Sequence, residues 1–300
     1  MNVEKVHIYK ADFLLLITAA IWGAAFVAQR MGMDHMGPHM FNASRFALGA
    51  ISLLPLIWLR SRKGVRDNFL QAGDAKSVLK GGLLAGSLLF AASSLQQVGL
   101  IYTTAGKAGF ITGLYVVLVP LLGLFWKQNP GLGGWVGATL SAVGLYFLTI
   151  TSQLTIAYGD FLIFLCAIAF ALHVLAIGWL APRIDCIKLS SAQFAVSSFF
   201  SLIVALFIEE ISWEAIKEAM IPILYAGLGS SGIAYTLQVV AQKDAPPAHA
   251  SIILSLESVF AALAGWAILS ETMDNRSILG CFLMFSGMLA AQLWPRKKAK

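Results

Sequence analysis

Ten stretches of this sequence stay apolar for long enough to cross a membrane, and no other property of the chain narrows its fold so far. They cover about residues 12–30, 38–59, 81–102, 105–126, 133–150, 159–180, 188–208, 221–241, 248–270 and 277–294, each bounded by charge, glycine or proline. At about 1.5 Å per residue, roughly 20 helical residues span a hydrocarbon core of roughly 30 Å. Hydrophobic residues make up 58% of the chain and charged ones 12%, about half the charge of a soluble domain, so a soluble enzyme or binding module is set aside. The net charge of +6 sits in alternate loops, which is an orientation signal and does not point to nucleic acid. Cys166, Cys186 and Cys281 have no paired spacing and are expected as reduced thiols without a disulfide or a metal.

The run 105–126 has features that lipid-facing helices lack: Gly109 and Gly113 four apart, a charge at Lys107, and Pro120. Gly-x-x-x-Gly lets a neighbouring backbone approach, and Pro120 frees a carbonyl that the protein interior must satisfy, so this helix is expected inside. A second stretch echoes it. Adding 142 carries Lys107 to His249, Leu114-Tyr115 to Leu256-Glu257, Gly123 to Gly265, and Ser93 and Gln96 to Tyr235 and Gln238. Adding 148 lays Asp12-Phe13-Leu14 on Asp160-Phe161-Leu162, Trp22 on Phe170, and Arg45-Phe46 on Gln193-Phe194. Identities are few, but order and hydropathy agree, so residues 1–150 and 151–300 are read as two homologous halves.

With the N-terminus in the cytoplasm, only Arg30, Lys107, Lys217 and Arg276 of the 21 lysines and arginines fall on the opposite side, and Arg45 lies within a span. That bias is a positive-inside signal and puts the C-terminus in the cytoplasm too. Five crossings per half then invert the second half relative to the first. The expected fold is an all-α polytopic membrane protein of ten transmembrane helices, built as two inverted five-helix repeats with both termini cytoplasmic, and substrate in such folds binds near the midplane. Lys5 and Lys10 ahead of the first run resemble the start of a secretory signal, but that run matches the internal Asp160 segment and is read as a span. Residues 60–80, with a Gly73-Asp74 turn, form a basic cytoplasmic connection. Residues 209–218 read either as a short amphipathic surface helix with Trp213 at the interface or as a solvated linker.

Trp22-Gly23 in the first span, Gly106-Lys107-Ala108-Gly109-Phe110 through Pro120 in the fourth and Leu256-Glu257 in the ninth resemble the drug/metabolite transporter superfamily, specifically its EamA family, over roughly residues 12–294. The resemblance implies a monomeric or homodimeric exporter of small metabolites in the bacterial inner (plasma) membrane, with a central cavity between two bundles. The family's ninth span often has proline directly after its glutamate; here that position is Ser258, which supplies no kink.

Glu257 is the sharpest candidate residue. It lies about nine residues, roughly 13 Å, into its span, near the bilayer centre, on a face that carries Ala250, Ala261, Ala264 and Gly265. A carboxyl group there is costly to keep charged, so it either loads and releases a proton or stays neutral and permanently bonded to a neighbouring helix. Tyr115 occupies the mirrored place, as a substrate contact or a core tyrosine. Ser93 and Gln96, and Ser231, Tyr235, Gln238 and Gln242, give polar faces to apolar helices that line a wet cavity or glue helices together. Trp22 and Phe26, with Gln29 beyond, read as an aromatic wall or as packing. Arg45 pairs with an anionic substrate, with helix-end carbonyls or with Asp34. Lys107 sits in the first turn of its helix, where the helix dipole disfavours it, which suggests attraction of a carboxylate near the outer mouth. His173 and His249 look isolated: structural residues, or proton or substrate contacts. Asp12 and Asp160 read as N-caps on opposite faces.

These features favour a secondary transporter, an exporter of a small amphiphilic metabolite of the amino acid, amine or carboxylate class, working by alternating access with protons as a candidate coupling ion. An uncoupled facilitator fits the same residues. There is no Gly-x-x-x-x-Gly-Lys-Ser/Thr motif for ATP, no His-Glu-x-x-His or Gly-x-Ser-x-Gly for an intramembrane enzyme, and no filter sequence for a channel. No cofactor is implied. The expected partners are a small-molecule substrate, the lipid bilayer and protons, with no nucleic acid.

Overall fold

The structure, a computed structural model, describes residues 3–62, 74–103, 105–149, 157–269 and 273–294. Most of the basic 60–80 connection, the boundary between the halves and the basic tail from Arg296 onward lie outside the described residues. Among the described residues ten helices are long and apolar enough to cross a membrane: α1 (Ile8–Met33), α2 (Pro38–Arg62), α3 (Ala75–Tyr102), α4 (Lys107–Trp126), α5 (Gly131–Leu148), α6 (Tyr158–Leu180), α7 (Cys186–Ile208), α8 (Met220–Ala241), α9 (Pro247–Ala264) and α10 (Asn275–Leu293). They match the ten apolar runs in order. Several helices outrun their apolar centres, because capping groups and not hydropathy set their ends: Asp74, Asp185 and Asp274 each accept backbone N–H bonds at the start of α3, α7 and α10. Between α7 and α8, Trp213–Glu218 forms the short surface helix, capped by Ser212.

Exchanging the two halves maps the packing onto itself. The pairs α2–α7 and α5–α10 each join a span to its own counterpart, α3 packs on α6 as α8 packs on α1, and α4 lies on α6 as α9 lies on α1. Five crossings per half make counterparts run in opposite senses, so the two repeats are related by a pseudo-two-fold in the membrane plane. The bodies that face each other are therefore α1, α8 and α9 against α3, α4 and α6, each drawn from both halves, with α2–α7 and α5–α10 closing the sides.

Close backbone approach occurs along α5–α10. A Cβ on Gly144 or on Gly280 would stand 2.6 Å from the other's carbonyl oxygen, and one on Gly137 or Gly287 2.7 Å from the other's. The Gly109-Gly113 pair serves this purpose only in part. Gly109 has nothing within 4 Å, whereas a Cβ on Gly113 would run into the Leu145 side chain of α5, so of this pair it is the second glycine that admits a neighbouring helix.

Both α4 and α9 are interrupted at mirrored positions. The helix Ala105–Gly113 gives way at Leu114 to Tyr115–Gly123, and Pro247–Leu254 gives way at Ser255 and Leu256 to Glu257–Leu269. At both breaks the backbone tightens to three-residue bonds, Leu114 N–H to Ile111 O at 3.2 Å and Leu256 N–H to Ile253 O at 3.1 Å. The α9 break needs no proline. Ser255 Oγ donates back to Ile252 O at 2.8 Å, and such back-bonding bends helices. In α8, Tyr225–Tyr235 is wound as a π-helix, a wide form common at functional sites.

Candidate functional site

Both interruptions aim the residue that follows them at the pseudo-two-fold axis. Tyr115 Oη donates to Glu257 Oε1 at 3.2 Å across 142 positions, which is the shift that relates the halves. Residues related by the axis can bond each other only if both stand close to it, so the pair marks the centre of the molecule. Gly23 lets α1 close over this point, since a Cβ there would lie 2.7 Å from Glu257 O.

Around this pair lies a cavity with about 530 Å3 of empty space, a figure that takes in the open solvent at its mouth. Trp22, Phe26, Phe170 and Tyr235 give it aromatic walls, and Arg45, Gln96, Tyr115, His173, Gln238 and Glu257 put polar groups on its surface. Arg45 is 2% exposed. Its Nε donates to Asn42 Oδ1 at 2.9 Å and its guanidinium lies over the Phe46 and Phe41 rings, 4.5 and 5.9 Å from their centroids, so the plane is held by one amide and two aromatic rings. It does not bond Asp34. Trp22 packs against Tyr235 at 4.4 Å between centroids and donates from Nε1 to Ser230 O at 3.3 Å. His173 Nε2 bonds Gln193 Oε1 at 2.9 Å, and Gln238 donates to Gln242, which in turn donates to Val174 O.

Two candidates lie elsewhere. Ser93 is fully buried and donates to Phe90 O, without reaching the cavity. Lys107 Nζ donates to Asp160 Oδ2 at 3.2 Å, so its charge is met by an acid of the other half and not held out for an anion at the mouth. Asp160 is not the N-cap expected of it: the N-cap is Ala157, and Asp160 stands three residues further on, in the first turn, where it accepts from Ala157 N and from Thr103 Oγ1 as well. Asp12 is no N-cap at all. The first helix begins at Val3, and Asp12 instead accepts from His249 Nε2 at 2.7 Å and Gln292 Nε2 at 2.8 Å. His249 therefore has a partner, contrary to its isolated look in the sequence. The two acid–base pairs are mirror images, each joining the first span of one half to the fourth of the other.

The symmetry of plan is not a symmetry of state. Every residue from His249 to Val259 is buried, whereas in the mirrored run Lys107, Gly109, Phe110, Ile111, Leu114 and Val117 are partly exposed. The start of α9 packs against α4 and α6, while among the described residues the start of α4 scarcely meets α9. The lining is drawn from both sides of the pseudo-two-fold, with Ala25, Phe26, Gln96 and Thr112 mirrored by His173, Val174, Gln238 and Leu254, while Gln29 and Arg45 extend it toward the end where α1 and α3 finish. The end where α9 begins is the more tightly packed of the two.

Thr112, Phe170 and Ser230 also line the cavity and were not singled out from sequence. Phe170 had a signal, as the counterpart of Trp22; Ser230 lies in the π-helical segment, whose winding no local pattern announces.

Compared with known proteins, the chain matches the model of the EamA-like transporter family twice, over residues 9–150 and 157–291. It is 31% identical over 297 residues to a protein of Archaeoglobus fulgidus named "Uncharacterized transporter", covering 97% of this chain and 89% of that one. It is 22% identical over 284 residues to "Uncharacterized transporter YoaV" of Bacillus subtilis, covering 91% and 94%. A solved crystal structure shares the fold with a TM-score of 0.77 at 17% identity, covering 94% of this chain and 96% of that one.

Proposed function

The chain belongs to the EamA-like transporter family, and from that premise we propose that it exports a small zwitterionic amphiphile of the amino-acid class by alternating access, with Glu257 exchanging a proton. One observation carries the substrate class. Among the described residues the cavity is lined by a single fixed cation, Arg45, and a single carboxyl, Glu257, between aromatic walls. A carboxylate suits the planar guanidinium, an ammonium suits the Glu257–Tyr115 pair, and an apolar side chain fills the space beside Trp22, Phe26 and Phe170. The amine and carboxylate classes each satisfy one half of this arrangement.

The coupling role rests on position. Glu257 sits near the axis, so inverting the two repeats turns the same carboxyl from one side of the membrane to the other. Loading the carboxyl with a proton frees the ammonium, and returning the proton to the opposite side resets the site. Residues 1–150 and 151–300 form the two repeats, in a bacterial plasma membrane with both termini in the cytoplasm. Support for that orientation comes from the basic loops, and support for export from the family resemblance.

A thermal-shift screen on purified protein tests the substrate class, since a ligand bound only by the folded state raises apparent stability. Amino acids with apolar side chains should raise the melting temperature more than the corresponding amines or carboxylates. Arg45→Met should abolish the gain. A simple amine that stabilises both proteins equally would refute the assignment.

A further inference from the structure

The guanidinium of Arg45 on α2 is a buried charge that no opposite charge answers. Its Nε bond goes to the neutral amide of Asn42, and the rings of Phe46 and Phe41 that it lies over carry no net charge. Among the described residues no carboxylate forms an ion pair with it, and Glu257, the acid of the same cavity, is bonded to Tyr115 instead. Both Nη groups lack a hydrogen-bond partner, yet neither is sealed in by protein, so they open on the cavity that Arg45 lines. The Tyr235 hydroxyl, at the end of the π-helical segment of α8, is in the same condition. Its ring stands edge-on to Phe46 at 6.4 Å between centroids, and it lies within electrostatic reach of the guanidinium. One cation and one unbonded O–H donor therefore face a common space. Leaving a buried charge unpaired is costly, so a counter-charge is expected there.

The proposed cycle sharpens that need. With a zwitterion in place, ionised Glu257 meets the ammonium and the substrate carboxylate meets Arg45, so the charges in the cavity cancel. When Glu257 takes a proton and the substrate leaves, Arg45 remains as an unbalanced positive charge. We propose that the substrate-free carrier binds a chloride ion in this cavity, on the Arg45 Nη groups and the Tyr235 hydroxyl, and returns with that ion and the Glu257 proton together. The substrate carboxylate uses the same donors, so the two anions compete. One zwitterion leaves as one proton and one chloride enter, and the cavity is neutral in both directions. A bare guanidinium would make the return step with a net charge, against the cost of holding an unpaired charge in a low-dielectric core. The inference rests on the transport reading, and the test separates the two.

The purified full chain is titrated with sodium chloride against sodium gluconate at constant ionic strength, with melting temperature as the readout. Chloride should stabilise wild type saturably where gluconate does not, and Arg45→Met should lose the difference. Tyr235→Phe keeps the cation and should weaken chloride several-fold, which repeats the test should Arg45→Met fold poorly. Chloride at about ten times its dissociation constant should lower the apparent affinity for apolar amino acids about tenfold. Proteoliposomes are then loaded with a labelled mixture of apolar amino acids and a chloride-quenched dye, and counterflow is measured on the same preparation. Outward movement of amino acid should draw chloride in. Chloride no more stabilising than gluconate, amino-acid affinity indifferent to chloride, or amino acid that leaves without chloride entering, while counterflow proceeds, would overturn the proposal and leave transport standing. Chloride binding that depends on Arg45, without any counterflow, would uphold the anion site and sink the transport reading.

Discussion

Removing the Tyr115 hydroxyl tests the geometry at the axis. In Tyr115→Phe the ring stays in its buried place (4% exposed) and only the donor to Glu257 Oε1, 3.2 Å away, is lost. Glu257 is 6% exposed, so water replaces the donor poorly, and a buried acceptor left unpaired costs about 1–3 kcal/mol. For a chain of this size each kcal/mol is worth about 2 °C of melting temperature, so the variant should melt about 2–6 °C lower. Glu257→Met alone leaves the phenol unpaired and should cost a similar amount. The double variant replaces both partners by apolar groups and should regain most of the loss, so that the coupling comes close to the sum of the two single costs. Differential scanning fluorimetry in detergent on the four proteins measures this. A Tyr115→Phe protein that melts within about 1 °C of wild type, with additive single variants, would falsify the placement of the pair on the axis.

Arg45→Lys should retain the fold but weaken amino-acid binding at least tenfold, because an ammonium cannot reproduce the planar fork over Phe46; binding titrations check this, and unchanged affinity would count against Arg45 as the carboxylate contact. Gly144→Val should overpack α5–α10 and lower stability by about 1–3 kcal/mol, read as a lower melting temperature than the same change at open Gly109. Asp274 caps α10 through Ser277, and that bond holds its carboxyl below the usual value of 3.8. A depressed value means that the cap's contribution is present above the unfolded value and is lost as pH falls through the folded one. Amide exchange at residues 275–278 should therefore accelerate on acidification below about 3.8, and the step should vanish in Asp274→Ala. Asp12 and Asp160 are expected at opposite membrane faces, so Asp12→Cys and Asp160→Cys should react with impermeant reagents from different sides.

What the sequence disclosed and what it concealed divide along a physical line. Hydropathy is a sum over about 20 residues, so all ten spans are visible even where caps such as Asp74 move an end by six residues. The register of the repeat is also a sum, and it correctly pairs Tyr115 with Glu257. Single bonds between distant segments are not sums. Nothing near His249 announces Asp12, 237 positions away, and nothing near Lys107 announces Asp160, because each pair is made by two helices that touch only after folding. The break before Glu257 was concealed for a different reason: proline was the expected signal, and Ser255 produces the bend through a side-chain bond to its own helix.

Proton movement driven by an amino-acid gradient tests the central claim most directly. In proteoliposomes with a pH-sensitive dye inside and no imposed pH gradient, the account predicts that an apolar amino acid moving down its gradient drives protons the opposite way in wild type. Glu257→Gln should keep saturable amino-acid exchange while the proton signal disappears. Proton movement that persists in Glu257→Gln, or saturable exchange in wild type with no proton signal at all, would contradict it.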